Sequence, residues 1–365
     1  MSLDLDKSTW KRVPFGDVVR NVNITVRDPE TAGIHRVIAM EHLDPGELKI
    51  ERYGSVEDGT TFTRRVTPGQ TLFGKRRAYQ HKVAFAEFDA ICSGDILTFE
   101  ADETQILPSF LPFLVQSNEF FDHALGTSAG SLSPRTNWRD LSRYELDLPP
   151  LDEQKRIADL LWAVERHRRS LSVAQLAVQP DEAIDGVGRL LFDAQSESWP
   201  TIRFGDAVTV SSGAFLPAKN MATGPIPVYG GNGISGYHNR AIFDQPVVMI
   251  GRVGAYCGAI HRTEGPSWIT DNALVVKNAV GYDDEFLASA LRHARLNQYA
   301  SHTAQPAVSG GGLGTAELPR PEIGAQLAYL EDRELVAAVA ASIDSELSAL
   351  ASLRSSLLAD FFGGN

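Results

Sequence analysis

Between Thr60 and Lys82 the sequence carries Arg64, Arg65, Lys75, Arg76, Arg77 and Lys82 with no Asp or Glu among them. Cations grouped in this way neutralise phosphate oxygens and release the counterions condensed on nucleic acid. The run Leu72-Phe-Gly-Lys75-Arg76-Arg77-Ala-Tyr79-Gln80-His-Lys82 interleaves them with Tyr79 and Gln80. Arg can grip guanine with two hydrogen bonds and Gln can do the same for adenine, so this segment is a candidate for DNA contact. A charge run standing alone would be a solvated face; its place in a duplicated chain, described below, favours contact.

The second half offers different chemistry. Ile250-Gly-Arg252-Val-Gly254-Ala-Tyr256-Cys-Gly258 sets one Arg and one Tyr among three glycines after an apolar strand. It suits a loop presenting Arg252 and Tyr256; the plainer alternative is a β-turn whose Arg pairs with a carboxylate. The glycines of Val228-Tyr-Gly-Gly-Asn-Gly233 suit a tight turn that brings Tyr229 and Asn232 close to a surface, with Tyr237 nearby. Trp268-Ile-Thr-Asp271-Asn272 could add polar contacts, the ring itself being expected in the core.

Motifs for catalysis fail on context. Gly231-Asn-Gly233-Ile-Ser-Gly236 fits a dinucleotide fingerprint, but the residues that follow read as loop and strand instead of opening a helix. Asp147-Leu-Pro-Pro150-Leu lacks the aromatic residue of amino-methyltransferase signatures. No HExxH, P-loop or Ser-His-Asp arrangement is visible, so no catalytic residue and no metal site is assigned. Cys92 and Cys257 are far apart and outside any CxxC pair, which predicts two free thiols.

The whole chain has 365 residues and a net charge of -12, with 43% hydrophobic and 22% charged residues. That composition is ordinary for a soluble protein, and the length suits two domains. The acidic total opposes nucleic-acid binding only if charge is evenly spread. Here the carboxylates gather elsewhere, in Glu322, Glu331, Asp332, Glu334, Asp344 and Glu346, which allows a basic face on an acidic body. No window approaches a continuous apolar membrane span, and MSLDLDKSTWKR lacks the pattern of a signal peptide, so a cytoplasmic location is expected.

An internal repeat organises these segments. Trp10-Lys-Arg-Val-Pro-Phe15-Gly-Asp17 returns 189 residues later as Trp199-Pro-Thr-Ile-Arg-Phe204-Gly-Asp206. Each copy continues through strand-like stretches, 36–39, 82–86 and 96–99 in the first, 247–250 and 273–276 in the second. A helical stretch follows, 109–125 or 283–299, then Leu-Pro and a long helix. Both long helices carry a heptad: Ile157, Val164, Leu171 and Val178 with Leu160, His167 and Ala174 as complements, and Val336, Ile343, Leu350 and Leu357 with Val339, Glu346 and Leu353. This predicts a coiled-coil seam, the plainer alternative being two helices packing on their own domains. The expected fold is α+β: two domains (1–150 and 196–320) and two long-helix regions (151–195 and 321–365) in an antiparallel coiled coil with pseudo-twofold repetition, which the resemblance given next implies are recognition domains and spacer helices. Ile157, Leu160, Val164, Leu171, Val336, Ile343, Leu350 and Leu357 on these helices are, by the resemblance given next, the candidate partner-binding residues. A kink or break is expected between Pro180 and Gly188.

The combination resembles the specificity subunits of Type I restriction-modification systems. Its carriers are Pro150-Leu-Asp-Glu-Gln154-Lys-Arg-Ile157-Ala, Val228-Tyr-Gly-Gly-Asn-Gly233-Ile-Ser-Gly236, Ile250-Gly-Arg-Val-Gly254, Trp268-Ile-Thr-Asp271-Asn272-Ala-Leu274 and Leu353-Arg-Ser-Ser-Leu357-Leu. In place of the first of these, the second domain ends on the looser Leu318-Pro-Arg-Pro-Glu-Ile-Gly-Ala-Gln326. The resemblance implies two target-recognition domains reading a split double-stranded DNA target, and no catalysis by the chain itself. It also implies two methyltransferase subunits that bind S-adenosylmethionine and methylate adenine N6, and restriction subunits that join them. Two alternatives stay open: a DNA-binding scaffold of another phage-defence system, and a self-contained DNA methyltransferase or nuclease.

Overall fold

The computed structural model of the chain describes residues 6–130, 133–178, 186–301 and 306–363. The chain forms two units, residues 1–172 with 346–365 and residues 173–345. In the first unit, strands Val19–Asn21, Ile96–Ala101, Thr71–Gly74 and Val83–Phe85 form one antiparallel sheet in that order. A second sheet runs Gly54–Ser55, Arg36–Ile38, Ala90–Cys92, Arg64–Val66, its central pair parallel. The second unit repeats the first sheet as Val208–Ser212, Ala273–Ala279, Val248–Gly251 and Ile260–Arg262. Its smaller sheet has three strands, Gly233–His238, Ile226–Gly230 and Trp268–Ile269, again with one parallel pair.

The repeated Phe-Gly-Asp explains how each unit closes. A short ribbon, Lys11–Pro14 on Glu145–Leu148 or Thr201–Arg203 on Glu317–Pro319, delivers the chain to it. Phe15 and Phe204 are buried, and their amides donate to Tyr144 O and Ala316 O, each at 2.7 Å. A Cβ on Gly16 would come within 2.8 Å of Ser142 Cβ, and one on Gly205 within 3.2 Å of Gly314 Cα. Glycine is required where two backbones meet this closely. The helical stretches are broken where sequence periodicity runs on: Leu111–Val115 and Asn118–Gly126 are separated at the N-cap Ser117, and Asp284–His293 ends before Arg295 turns left-handed.

The long helices are Leu151–Val178 and Ile323–Phe362. In the first unit Ile157, Ala158, Leu161 and Val164 share one core with Leu357, Leu358 and Phe361. The pairs Glu165–Arg354 and His167–Glu346 run in opposite chain directions, as in an antiparallel pair. In the second unit Gln175 Nε2 donates to Asp344 Oδ1 at 2.6 Å. The seam differs from the expected one at its complementary positions. Leu161 and Arg168, and Ala340, Leu347, Arg354 and Phe361, turn inward, whereas Leu160, His167, Val339, Glu346 and Leu353 are exposed. From any heptad anchor both the third and the fourth following residue lie nearby on the helix, and tertiary partners decide between them. Arg354 takes the inner row because Glu165 waits opposite it, and the two misfit residues His167 and Glu346 meet outside at 2.8 Å.

Helix Ile323–Phe362 is long and apolar enough to cross a membrane by length and composition, an exception to the expectation from hydropathy. It is a coiled-coil helix whose polar side chains meet partners on the first long helix, not a span. Part of the Pro180 to Gly188 stretch lies outside the described residues, and helix Gly186–Ser196 follows, with Phe192 packing on Trp199, Phe286 and Tyr329.

Each long helix is anchored by one buried glutamine. Gln154 Oε1 accepts from Leu107 N, while its Nε2 donates to Gln105 O and Pro149 O. Gln326 repeats this with Asp283 N, Gly281 O and Pro321 O. The loose ending of the second domain therefore folds as the first does. Gln154→Leu leaves three backbone groups, one buried and two partly buried, without partners, and an expected loss of about 2–3 kcal/mol follows. Urea denaturation should give a similar loss for Gln326→Leu, confined to the second unit's transition.

Candidate nucleic-acid interface

The basic segment of the first unit is split by the fold into internal and outward cations. Arg64 donates through Nε to Asn23 Oδ1 at 2.9 Å and through Nη1 to Ile96 O. Arg65 pairs with Asp89 at 2.8 Å, and Lys82 Nζ donates to Met40 O at 2.6 Å. These three expected contact residues thus have structural partners, because each sits on or beside a strand whose neighbours supply acceptors. Lys75 is half-buried; burial, with Arg64 close by, pulls its pKa below the usual lysine range while Asp95 opposes the shift. Arg76 is exposed, with Nε donating to Ser133 Oγ at 2.7 Å and Nη1 3.6 Å from Asp95 Oδ2. Arg135 shares that carboxylate at 3.4 Å and was absent from the sequence expectations. Arg77 and Tyr79 project outward, Tyr79 at 53% exposure, and Gln80 is half-buried.

The loop from Lys75 to Lys82 is pinned by backbone hydrogen bonds. Lys75 N donates to Asp95 O (2.9 Å), Thr136 N to Lys75 O (3.0 Å), Arg77 N to Pro134 O (2.8 Å) and Gly74 N to Lys82 O (2.9 Å). The second unit builds the same frame. Arg252 N donates to Asn272 O (2.9 Å), Val308 N to Arg252 O (2.9 Å), Gly254 N to Pro306 O (2.9 Å) and Gly251 N to Ala259 O (2.7 Å). Gly74-Lys75-Arg76-Arg77-Ala78-Tyr79 thereby corresponds to Gly251-Arg252-Val253-Gly254-Ala255-Tyr256, and the second tyrosine is likewise exposed, at 58%. This correspondence was legible in the sequence at an offset of 177 residues, shorter than the 189 of the opening repeat because the first domain is longer.

Arg77 and His81 have φ of +56° and +51°, and their counterparts are Gly254 and Gly258 at +81° and +86°. A non-glycine residue held in this region stores on the order of 1 kcal/mol, and such strain gathers at functional sites. In the second unit the hairpin between Gly230 and Gly233 sits against the loop: a Cβ on Gly251 would lie 2.3 Å from Gly231 O. That closeness brings Asn232, which is exposed, beside Arg252 and Tyr256. Tyr237 is exposed on the outgoing strand. Tyr229 is not presented; its ring lies in the core with Met249, Ile269 and Val275, and burial raises its phenol pKa. On a pleated strand alternate residues face inward, and the bulge after Val228 turns Tyr229 in. Trp268 is half-buried, with Nε1 donating to Ala214 O at 3.1 Å. Both cysteines are free and buried; burial pushes the Cys92 thiol up to about 12, which keeps it unreactive.

Residues 49–175, a stretch holding the first loop and most of the first long helix, match the Type I restriction modification DNA specificity domain. The EcoprrI specificity subunit of Escherichia coli, from a Type I restriction enzyme, is 34% identical over 128 residues, 34% of this chain and 32% of that one. Over this stretch the chain is similar to the DNA specificity domain of Type I restriction-modification enzymes. The EcoDI specificity subunit of the same organism is 30% identical over 152 residues, 41% of this chain. The matched stretches span about a third of each of these curated relatives, 32% and 33%. The fold of the chain is shared along its whole length with the HsdS subunit from Thermoanaerobacter tengcongensis, at a TM-score of 0.55, 18% identity and coverage of 98% of this chain and 97% of that one. The S subunit from M. genitalium gives 0.55 at 16% identity, covering 100% and 99% of the two chains. A chain of a solved type I R-M assembly gives 0.61 at 19% identity, covering 97% and 98%.

Proposed function

We propose that this chain reads a bipartite double-stranded DNA target, one half with each unit, and directs adenine-N6 methylation and restriction by partner subunits. The observation that carries the proposal is the loop built twice on one hydrogen-bond frame, with Tyr79 and Tyr256 exposed at the same position. Lys75, Arg76, Arg77, Tyr79 and Gln80 serve the first half-site, and Asn232, Tyr237, Arg252 and Tyr256 the second. Base edges are read by such side chains while neighbouring cations hold phosphates. The chain itself does no chemistry; S-adenosylmethionine belongs to the two methyltransferase subunits, which restriction subunits join in the cytoplasm.

The surface offered to the methyltransferases differs from the heptad anchors. Ile157, Val164 and Leu357 are buried in the chain's own core and Leu171, Val336, Ile343 and Leu350 are half-covered, so of the candidate partner residues Leu160 alone stands well exposed. Leu335 and Val339 in the second unit and Leu353 in the first add exposed apolar surface of the kind subunits cover. The test is single-molecule methylome sequencing of a methylation-free host carrying the cognate methyltransferase with and without this chain. Adenine methylation at a two-part motif that vanishes without the chain is the expected result. An active methyltransferase with no new methylated motif would overturn the proposal in favour of a different defence system.

A further inference from the structure

The second loop carries one cation where the first carries four. Where the first carries Lys75, Arg76, Arg77 and Lys82, the second carries Arg252, Val253, Gly254 and Ala259. The missing charge returns on a neighbouring element. A pocket of about 300 Å³ opens beside the second loop, walled by residues 255–260 on one side and by Arg292, Arg295, Leu296 and Asn297 on the other. Its lining includes Arg292, Arg295, Asn297 and Tyr256, and no Asp or Glu among the described residues.

The first unit shows how the pocket arises. Leu107 and Asp283 donate to equivalent glutamines, and counting onward from them Arg292, Arg295 and Asn297 correspond to Gln116, Glu119 and Phe121. In the first unit His81 lies over Phe121, ring centroids 4.0 Å apart. In the second, Gly258 stands in the place of His81, and a Cβ there would come 2.4 Å from Asn297 N. Two rings are thus replaced by a glycine and an asparagine, and a glutamate by an arginine. Arg295 is exposed, forms no side-chain hydrogen bond or ion pair among the described residues, and is held at φ +46°. A left-handed arginine with no internal partner has its side chain presented at a backbone cost that glycine would avoid.

We infer that this pocket seats a backbone phosphate of the DNA half-site read by the second unit, with Arg295 as its principal donor. Asn297 and the Tyr256 hydroxyl stand beside it as further donors and Arg292 adds positive charge to the wall, since charge-assisted guanidinium bonds favour phosphate. The inference rests on the proposed DNA-reading role. It assigns the second unit a contact that positions the duplex without naming a base.

The test uses the assembled complex with its methyltransferase subunits and a duplex carrying its methylated motif. Arg295→Gly suits the left-handed backbone, so loss of folding does not confound it; Arg295→Lys keeps the charge. Arg295→Gly is expected to weaken binding about tenfold and to lower the slope of log affinity against log salt by about one, with base preference in the second half-site unchanged. Arg295→Lys is expected to keep most of the slope. An unchanged slope and affinity in Arg295→Gly would overturn the inference, as would a loss of subunit assembly, which would mark the pocket as a protein contact. A shifted base preference would overturn it too, by making Arg295 a reader of sequence. Failure of the wild-type complex to bind its motif would instead defeat the DNA-reading role.

Discussion

Replacing Glu165 with alanine is expected to destabilise the first unit by about 3–5 kcal/mol, because it leaves buried guanidinium charge without its counter-ion. Glu165 is 1% exposed on the first long helix. Arg168 Nη2 lies 2.7 Å from it, and Arg354 Nε of the second long helix 3.7 Å. Arg168 also pairs with Glu47, and Arg354 donates to Gly46 O at 3.3 Å and to Gln116. Burial works against the charge on both arginines. At Arg168 the hydrogen bonds and attraction of Glu165 and Glu47 outweigh it and raise the pKa. At Arg354 burial dominates, Arg168 adds repulsion, and the pKa falls despite Glu165. Arg354 is therefore the group most exposed to loss of the carboxylate. Denaturation followed by tryptophan emission separates the outcomes, since Trp10, Trp138 and Trp162 report the first unit and Trp199 and Trp268 the second. Only the first unit's transition should move. A companion replacement of Glu165 and Arg354 together by apolar residues should recover most of the loss, because the buried charge goes with its partner. Equal destabilisation of single and double variants would show that packing, not charge, dominates there.

The second large effect is on DNA. Arg76→Ala with Arg77→Gly is expected to weaken binding of the assembled complex to the first half-site by about 100-fold, taking 1–3 kcal/mol for each arginine contact. Arg77→Gly alone should not lower the melting temperature, and relief of the left-handed strain predicts a gain of about 1 kcal/mol. Opposite signs in stability and affinity distinguish a residue held for contact from one held for folding. Titration against targets with the first or the second half-site scrambled reads the affinity, and calorimetry reads the stability. Unchanged affinity and unchanged preference in the double variant would remove both residues from the interface.

Patterns that repeat along the chain were determined by the sequence alone. The Trp-Pro/Lys…Phe-Gly-Asp repeat, the strand segments and the seven-residue spacing of Ile157, Val164, Val336, Ile343 and Leu357 all encode periodic burial, which is a local property. The same reasoning located the two loops and the glycine turn at Gly233. The tertiary structure alone decided what each side chain meets. Val339 and Leu353 look better suited to a seam than Arg354, yet Arg354 lies inside because Glu165 is there to receive it. Six cations between Thr60 and Lys82 look equivalent in sequence, but Arg64, Arg65 and Lys82 find acceptors in Asn23, Asp89 and Met40, which only folding brings near. The pocket beside Tyr256 was invisible for the same reason: Gly258 and Arg295 are 37 residues apart, and the space between them exists only once the loop closes on Asn297. Spacing along a chain reports which face of an element is buried, whereas the partners across that face depend on contacts between distant segments, and those decide which charges remain free to act.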